Sequence, residues 1–124
     1  MQNEKLKINK YREAILKREK QEQIQNKKMQ EKGLLDIERI KNYLIKETPV
    51  KEIYLFGSIL NNFKRTSDID IAVSGIPDKD FLRVYSILDD FTNFNVELID
   101  LDERNDFFRE NIRKMGKRIY EREN

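Results

Sequence analysis

Residues 51–73 read KEIYLFGSILNNFKRTSDIDIAV, and the two ends of this stretch carry the decisive signals. Lys51 to Gly57 is rich in aromatic and branched side chains and ends at a glycine, the pattern of a strand closed by a turn. Ser67 to Val73 is a second strand, with acid and aliphatic side chains alternating from Asp68 onward. Alternation puts Asp68 and Asp70 on one face, roughly 7 Å apart at the backbone. Two carboxylates so placed can clamp a divalent cation or simply line a solvated strand. Between the strands lies Gly57-Ser58, where a glycine lets backbone amides approach a phosphate and a hydroxyl can donate to it. A plain turn is the other reading of that pair.

Downstream, Gly75 and Pro77 make a turn, and Phe81, Leu82, Val84, Tyr85, Leu88 and Phe91 recur at helical spacing. A third strand is expected over Asn95 to Leu101, with Val96, Leu98 and Leu101 on one face and Glu97 and Ile99 on the other. Glu97 is then a third acid beside Asp68 and Asp70, provided the two strands are neighbours. Glu103 to Met115 is expected to be a helix with Phe107, Phe108, Ile112 and Met115 inward, capped by Gly116 and followed by a short strand over residues 118–120. Upstream, Lys5 to Lys32 holds neither proline nor glycine and predicts one long helix, with a short stripe of Ile8, Tyr11 and Ile15. Gly33 is expected to interrupt it, and Leu34, Ile37, Ile40, Tyr43 and Leu44 to form a second, core-packed helix ending before Thr48-Pro49. The sum is a small α+β domain over residues 33–124, a mixed sheet flanked by helices, with residues 1–32 as a long charged helical extension.

At 124 residues and 15.0 kDa the chain has room for one substantial core. It lacks cysteine and histidine, so disulfides, thiol nucleophiles, thiolate sites and imidazole bases are excluded. Chemistry falls to carboxylates, hydroxyls, Lys and Arg, and oxygen ligands suit magnesium. No apolar run approaches the ~18 residues needed to cross a bilayer, so no membrane partner and a cytoplasmic location are expected. Residues 1–47 hold 13 Lys and Arg against 8 Asp and Glu, whereas residues 48–124 hold 12 against 15. That mixture in the extension fits a solvated helix face better than a nucleic-acid tail.

Taken jointly, Phe56-Gly57-Ser58, then Ser67-Asp68-Ile69-Asp70-Ile71, then Val96-Glu97-Leu98-Ile99-Asp100-Leu101, resemble the minimal nucleotidyltransferases of the DNA polymerase β-type superfamily. The likeness runs from about Lys51 to Tyr120, including the Gly-x-x-x-Tyr ending at Gly116 to Tyr120. It implies that Gly57 and Ser58, with Ser67, hold a nucleoside triphosphate, and that Asp68, Asp70 and Glu97 bind two magnesium ions and form the catalytic set. Lys64 and Arg65 either face the triphosphate or are solvated loop cations. The chain departs from the pattern in three places. The loop from Ser58 to Ser67 is one residue short, Leu60, Asn61 and Asn62 stand where a small residue, Arg and Gly are common, and Glu97 replaces Asp.

The resemblance implies transfer of a nucleoside monophosphate, AMP from ATP, to an acceptor hydroxyl. Many minimal members are antitoxins that adenylylate or neutralise a HEPN-type ribonuclease toxin, which makes such a toxin the expected protein acceptor. The competing expectation is a non-catalytic module in which the old core is a scaffold and the N-terminal helix binds a partner or a second copy of the chain.

Overall fold

The protein is described here by a computed structural model covering residues 2–123. Helix α1 (Gln2–Glu47) is followed by strand β1 (Glu52–Phe56), a 3-10 turn at Gly57–Leu60, β2 (Ile69–Ser74), α2 (Asp78–Leu88), β3 (Val96–Asp100), α3 (Asp106–Met115) and β4 (Lys117–Glu121). The strands form one mixed sheet in the order β3-β2-β1-β4. β1 pairs antiparallel with β2 and β4, and β2 pairs parallel with β3 across the α2 connection. The expected α+β class and the adjacency of the two acidic strands are therefore both present.

Alternation along the strands builds two unequal faces. Ile53, Leu55, Ile69, Ile71, Val73, Val96 and Leu98 pack with Ile37, Ile40 and Leu44 of α1 and Val84 and Leu88 of α2. The opposite face holds a smaller cluster, Tyr54, Ala72, Ile99 and Leu101 with Ile112 of α3. Leu101 thus joins Ile99 rather than Val96 and Leu98, as alternation along the strand requires, since residues 97, 99 and 101 share one parity and 96 and 98 the other. Asp70 and Glu97 share the parity of Ala72 and Ile99, so they lie on the second face, beyond the cluster that α3 covers.

The largest departure from the sequence reading is at Gly33. The structure has one continuous helix of 46 residues, about 69 Å long at 1.5 Å per residue. Gly33 is buried in it, and a Cβ there would lie 3.0 Å from Ile59 Cδ1 and 3.3 Å from Phe63 Cε2. The absent side chain lets the segment after β1 press against the helix backbone, at the ~1 kcal/mol of helix propensity that glycine forfeits. Met29 packs on the main core, and Gln30 Nε2 donates to the Ile59 carbonyl at 2.9 Å, so contact with the body is made on both sides of Gly33.

α3 also departs from expectation. It begins later, at a cap where Asn105 Oδ1 accepts from Phe108 N at 2.8 Å. Phe107 and Met115 are exposed, and only Phe108 and Ile112 face the sheet. A helix laid on half of a narrow sheet face buries one thin stripe, too narrow for four apolar positions. Gly116 is extended rather than left-handed, and a Cβ there would meet the Ile112 and Leu55 carbonyls at 2.6 and 2.8 Å. That glycine serves close approach of backbones.

If Gly33 is a packing device, its substitutions split by size. Gly33→Ala should be near neutral, its propensity gain offset by the displaced tip of Ile59, whereas Gly33→Leu should cost about 2 kcal/mol through overpacking, read as urea midpoints. A helix ended at Gly33 by a left-handed cap would instead make both substitutions destabilising by a similar amount, about 1 kcal/mol, whatever their size.

Candidate active site

The three acids of the sequence pattern come together. Asp70 is opposite Glu97 in the parallel β2–β3 ladder and opposite Phe56 in the β1–β2 ladder. Asp68 lies one residue ahead of β2, and its Oδ1 accepts from Asn95 Nδ2 at 3.2 Å. One carboxylate oxygen from each of Asp68, Asp70 and Glu97 falls within 4.8 Å of the others. Asp68 and Glu97 are exposed and Asp70 is half-buried.

Asp70 is the electrostatic centre of the group. Its Oδ1 is buried and has no hydrogen-bond partner. Burial first, then the neighbouring carboxylates of Glu97 and Asp68, push its pKa from 3.8 up to about 6. A half-buried acid beside two others is a poor arrangement for bare carboxylates and a good one for a hard cation. The donor set is all oxygen, and one inward lone pair is otherwise unused, so the residues present fit a divalent metal of the magnesium type.

Gly57 closes the site from the side of β1. Its φ of +76° favours glycine, and a Cβ there would run into Asp70 Oδ2. Both constraints make the residue a glycine, and both place the Gly57-Ser58 turn directly against the acids. Ser58 follows, half-buried in the 3-10 turn, with its carbonyl accepting from Asn61 N at 2.9 Å. Ile59 and Phe63 are buried and anchor the loop to α1 at Gly33 and, by an edge contact with centroids 4.9 Å apart, to Phe94.

The other residues singled out from sequence lie on that loop. Ser67 Oγ accepts from Lys64 N at 2.9 Å, and Ser67 N donates to the Lys64 carbonyl at 2.9 Å, so Ser67 pins the turn that delivers the chain to Asp68. Lys64 and Arg65 are exposed, and neither forms an ion pair among the described residues.

The structure adds two features that the sequence pattern left out. Asn95 orients Asp68 from the residue preceding β3; nothing in the local sequence marks it, because the contact exists only once β2 and β3 pair. A second acidic group, Asp78, Asp100 and Glu103, also brings carboxylate oxygens within 4.8 Å, at a cleft of about 490 Å³ bordered by Phe81 and Arg104. Burial raises the pKa of Asp100, and the charge of Asp78 raises that of Glu103. Here Asp100 Oδ1 accepts from Asp102 N at 3.0 Å, and Asp102 Oδ2 accepts from Gly75 N at 2.8 Å. Asp100 therefore has a structural task in the turn after β3, unlike Asp70.

Comparison with known proteins agrees with this geometry. The family model for polymerase beta nucleotidyltransferases matches residues 38–124, well over half of the chain. Among solved structures, the MntA–HepT toxin–antitoxin complex aligns at 25% identity and a TM-score of 0.57, covering 72% of this chain and 73% of that one. A toxin–antitoxin structure with AMP-PNP aligns at 25% identity and a TM-score of 0.58, covering 71% and 74%. The fold is shared as well with the structure of a tri-AMPylated Shewanella oneidensis HEPN toxin in complex with MNT antitoxin, at 24% identity and a TM-score of 0.57, covering 73% of each chain. None of the curated proteins compared matches the chain. The match over the body, on a sheet that carries paired acids beside a glycine turn, shows that this chain belongs to the polymerase beta nucleotidyltransferase family.

Proposed function

We propose that the protein is a magnesium-dependent nucleotidyltransferase of the antitoxin type, which transfers AMP from ATP to a hydroxyl on a HEPN-type toxin in the cytoplasm. The observation that carries this reading is the buried, unpartnered Asp70 Oδ1 within 4.8 Å of carboxylate oxygens from Asp68 and Glu97. Support for the nucleotide and the partner comes from the solved relatives, which hold AMP-PNP in one case and a toxin in another. The catalytic unit in this reading is residues 33–124.

Asp68, Asp70 and Glu97 would hold two divalent ions, whose chemistry is to offset charge on the attacking and leaving oxygens of an in-line displacement. Gly57 and Ser58 hold the β- and γ-phosphates: the positive φ at Gly57 turns the chain so that backbone N–H groups and the Ser58 hydroxyl can donate to them. Ser67 keeps the loop in register, and the exposed Lys64 and Arg65 add positive charge toward the triphosphate. Glu97, exposed at the end of the set, accepts the proton of the acceptor hydroxyl. The acceptor oxygen bonds to the α-phosphorus, the bond between that phosphorus and the bridging oxygen breaks, and pyrophosphate leaves. The extra methylene of Glu97, relative to Asp, extends the base toward an acceptor arriving on the open side of the sheet.

Two outcomes are expected. Asp68→Asn or Asp70→Asn should lower AMP transfer at least about 1,000-fold with the fold intact, measured with labelled ATP and a HEPN toxin; retained turnover in either variant would sink the assignment. The second outcome concerns pH and stability. Because the folded-state pKa of Asp70, about 6, lies above its ordinary 3.8, stability without metal is fully present below pH 4 and is lost as pH rises through 6. Partial solvent exposure reduces that loss to about 1–2 kcal/mol. Asp70→Asn should therefore melt higher than wild type at pH 8 but not at pH 3.5, and saturating magnesium should narrow the gap at pH 8. Thermal melts across pH, with and without the ion, decide this, and a variant no more stable at pH 8 would contradict the orphaned carboxylate.

A further inference from the structure

A cleft of about 390 Å³ lies between the C-terminal half of α3 and the turn after β1, lined by Phe56, Gly57, Leu60, Asn111, Ile112 and Met115. Its walls are apolar, and among these lining residues Asn111 alone has a polar side chain. Met115 is 78% exposed and Leu60 37%, and neither belongs to either core cluster. The cleft and the acids meet at Gly57, which lines the cleft and has Asp70 Oδ2 where its own Cβ would be. Phe56 is opposite Asp70 in the β1–β2 ladder, about 4.8 Å away at the backbone, and packs on the same sheet face as Ala72 and Ile112. The cleft therefore opens one strand away from the acidic set, on the side opposite Glu97.

We propose that this cleft receives the adenine ring of the nucleotide and that Asn111 determines base specificity, a placement that rests on Gly57 and Ser58 holding the β- and γ-phosphates. With the α-phosphorus over Asp70, the phosphate chain leaves past the end of β1 toward Ser58, and the ribose lies over Phe56 and directs the base into the cleft. A side chain of the acceptor is the competing occupant, and the direction of attack disfavours it. In-line displacement sets the acceptor hydroxyl opposite the leaving pyrophosphate, hence on the Glu97 side of Asp70, whereas the cleft is on the β1 side. A purine has apolar faces and a polar rim, which suits apolar walls carrying one amide. The Asn111 amide offers one donor and one acceptor. Adenine presents an acceptor at N7 beside a donor at its 6-amino group, whereas guanine presents two acceptors on that edge, N7 and O6. The amide thus pairs fully with adenine and leaves guanine one contact unmade.

Calorimetric titration of the full chain with magnesium, in the absence of any acceptor, tests this with inorganic tripolyphosphate, ATP and GTP as probes. Wild type should bind ATP at least about 10-fold tighter than GTP. Asn111→Leu should bring the two nucleotides within about 3-fold of each other by weakening ATP, and Met115→Ala should weaken both alike by roughly 3- to 10-fold. Both positions are exposed on α3, so circular dichroism can confirm folding, and tripolyphosphate affinity should stay within about 2-fold of wild type in each variant. Nucleotide affinities unmoved by Met115→Ala, or an ATP preference that survives Asn111→Leu, in a chain that still binds tripolyphosphate, would overturn the cleft as the base site and leave the phosphate turn standing. A wild type that binds none of the three would overturn the phosphate turn and the base site together.

Discussion

The close approach of α1 to the segment after β1 holds this molecule in its working shape. At Gly33 the helix has no side chain, and Ile59 and Phe63 fill the space against its backbone. One turn earlier the Gln30 amide takes up the Ile59 carbonyl. These contacts fix a loop that would otherwise be long and polar, and the loop carries the Gly57-Ser58 turn at one end and delivers Asp68 at the other. Gly57 in turn abuts Asp70. Two glycines, one in a helix and one in a turn, thus link the helix to the acids through a chain of contacts without slack.

That rigidity has an electrostatic consequence. The acids occupy the part of the second sheet face that α3 leaves uncovered, so water and ligands reach Asp68 and Glu97 while Asp70 is held below them. A looser site would let the three carboxylates spread apart and relieve their repulsion. Here the β2–β3 register keeps Asp70 beside Glu97, Asn95 holds Asp68, and the Gly57 backbone leaves Asp70 no retreat. The raised pKa of Asp70 follows from that confinement: burial and the fixed nearness of Glu97 and Asp68 both disfavour its charged form. Asp100 differs in one respect: its Oδ1 accepts from the Asp102 amide, which lowers its pKa against the upward push of burial, whereas Asp70 Oδ1 has no hydrogen-bond partner.

Much of this was legible in the sequence because the decisive signals are local. Strand alternation puts Asp68 and Asp70 on one side of their strand and Glu97 on the polar side of its own, and the turn glycine between the first two strands marks a place where backbone can come close. Pairing was less accessible: that β2 and β3 are neighbours depends on the crossover through α2, and Asn95 gains its partner only from that pairing. Gly33 was misread because a glycine between two helical stretches carries the same local signal whether it ends a helix or admits a neighbour. The outcome depended on Ile59 and Phe63, some 26 to 30 residues away in sequence. Phe107 and Met115 were misassigned for a related reason. Helical periodicity identifies an apolar face, but its usable width depends on how much sheet lies beneath, and α3 has half a sheet face to cover.

The continuity of α1 changes what the N-terminal arm can do. Had Gly33 been a break, residues 1–32 would be a tethered appendage whose partner could not affect the site. As one helix, the arm is the same rigid element that buttresses the Gly57-Ser58 turn, and a stiff helix transmits a tilt along its length far better than a hinge does. A load applied anywhere on the arm would act at the far end of a lever whose other end bears, through Gly33, Ile59 and Phe63, on the turn beside Asp70. The buried glycine that permits this close contact therefore also determines how directly an event at the arm can reach the acids.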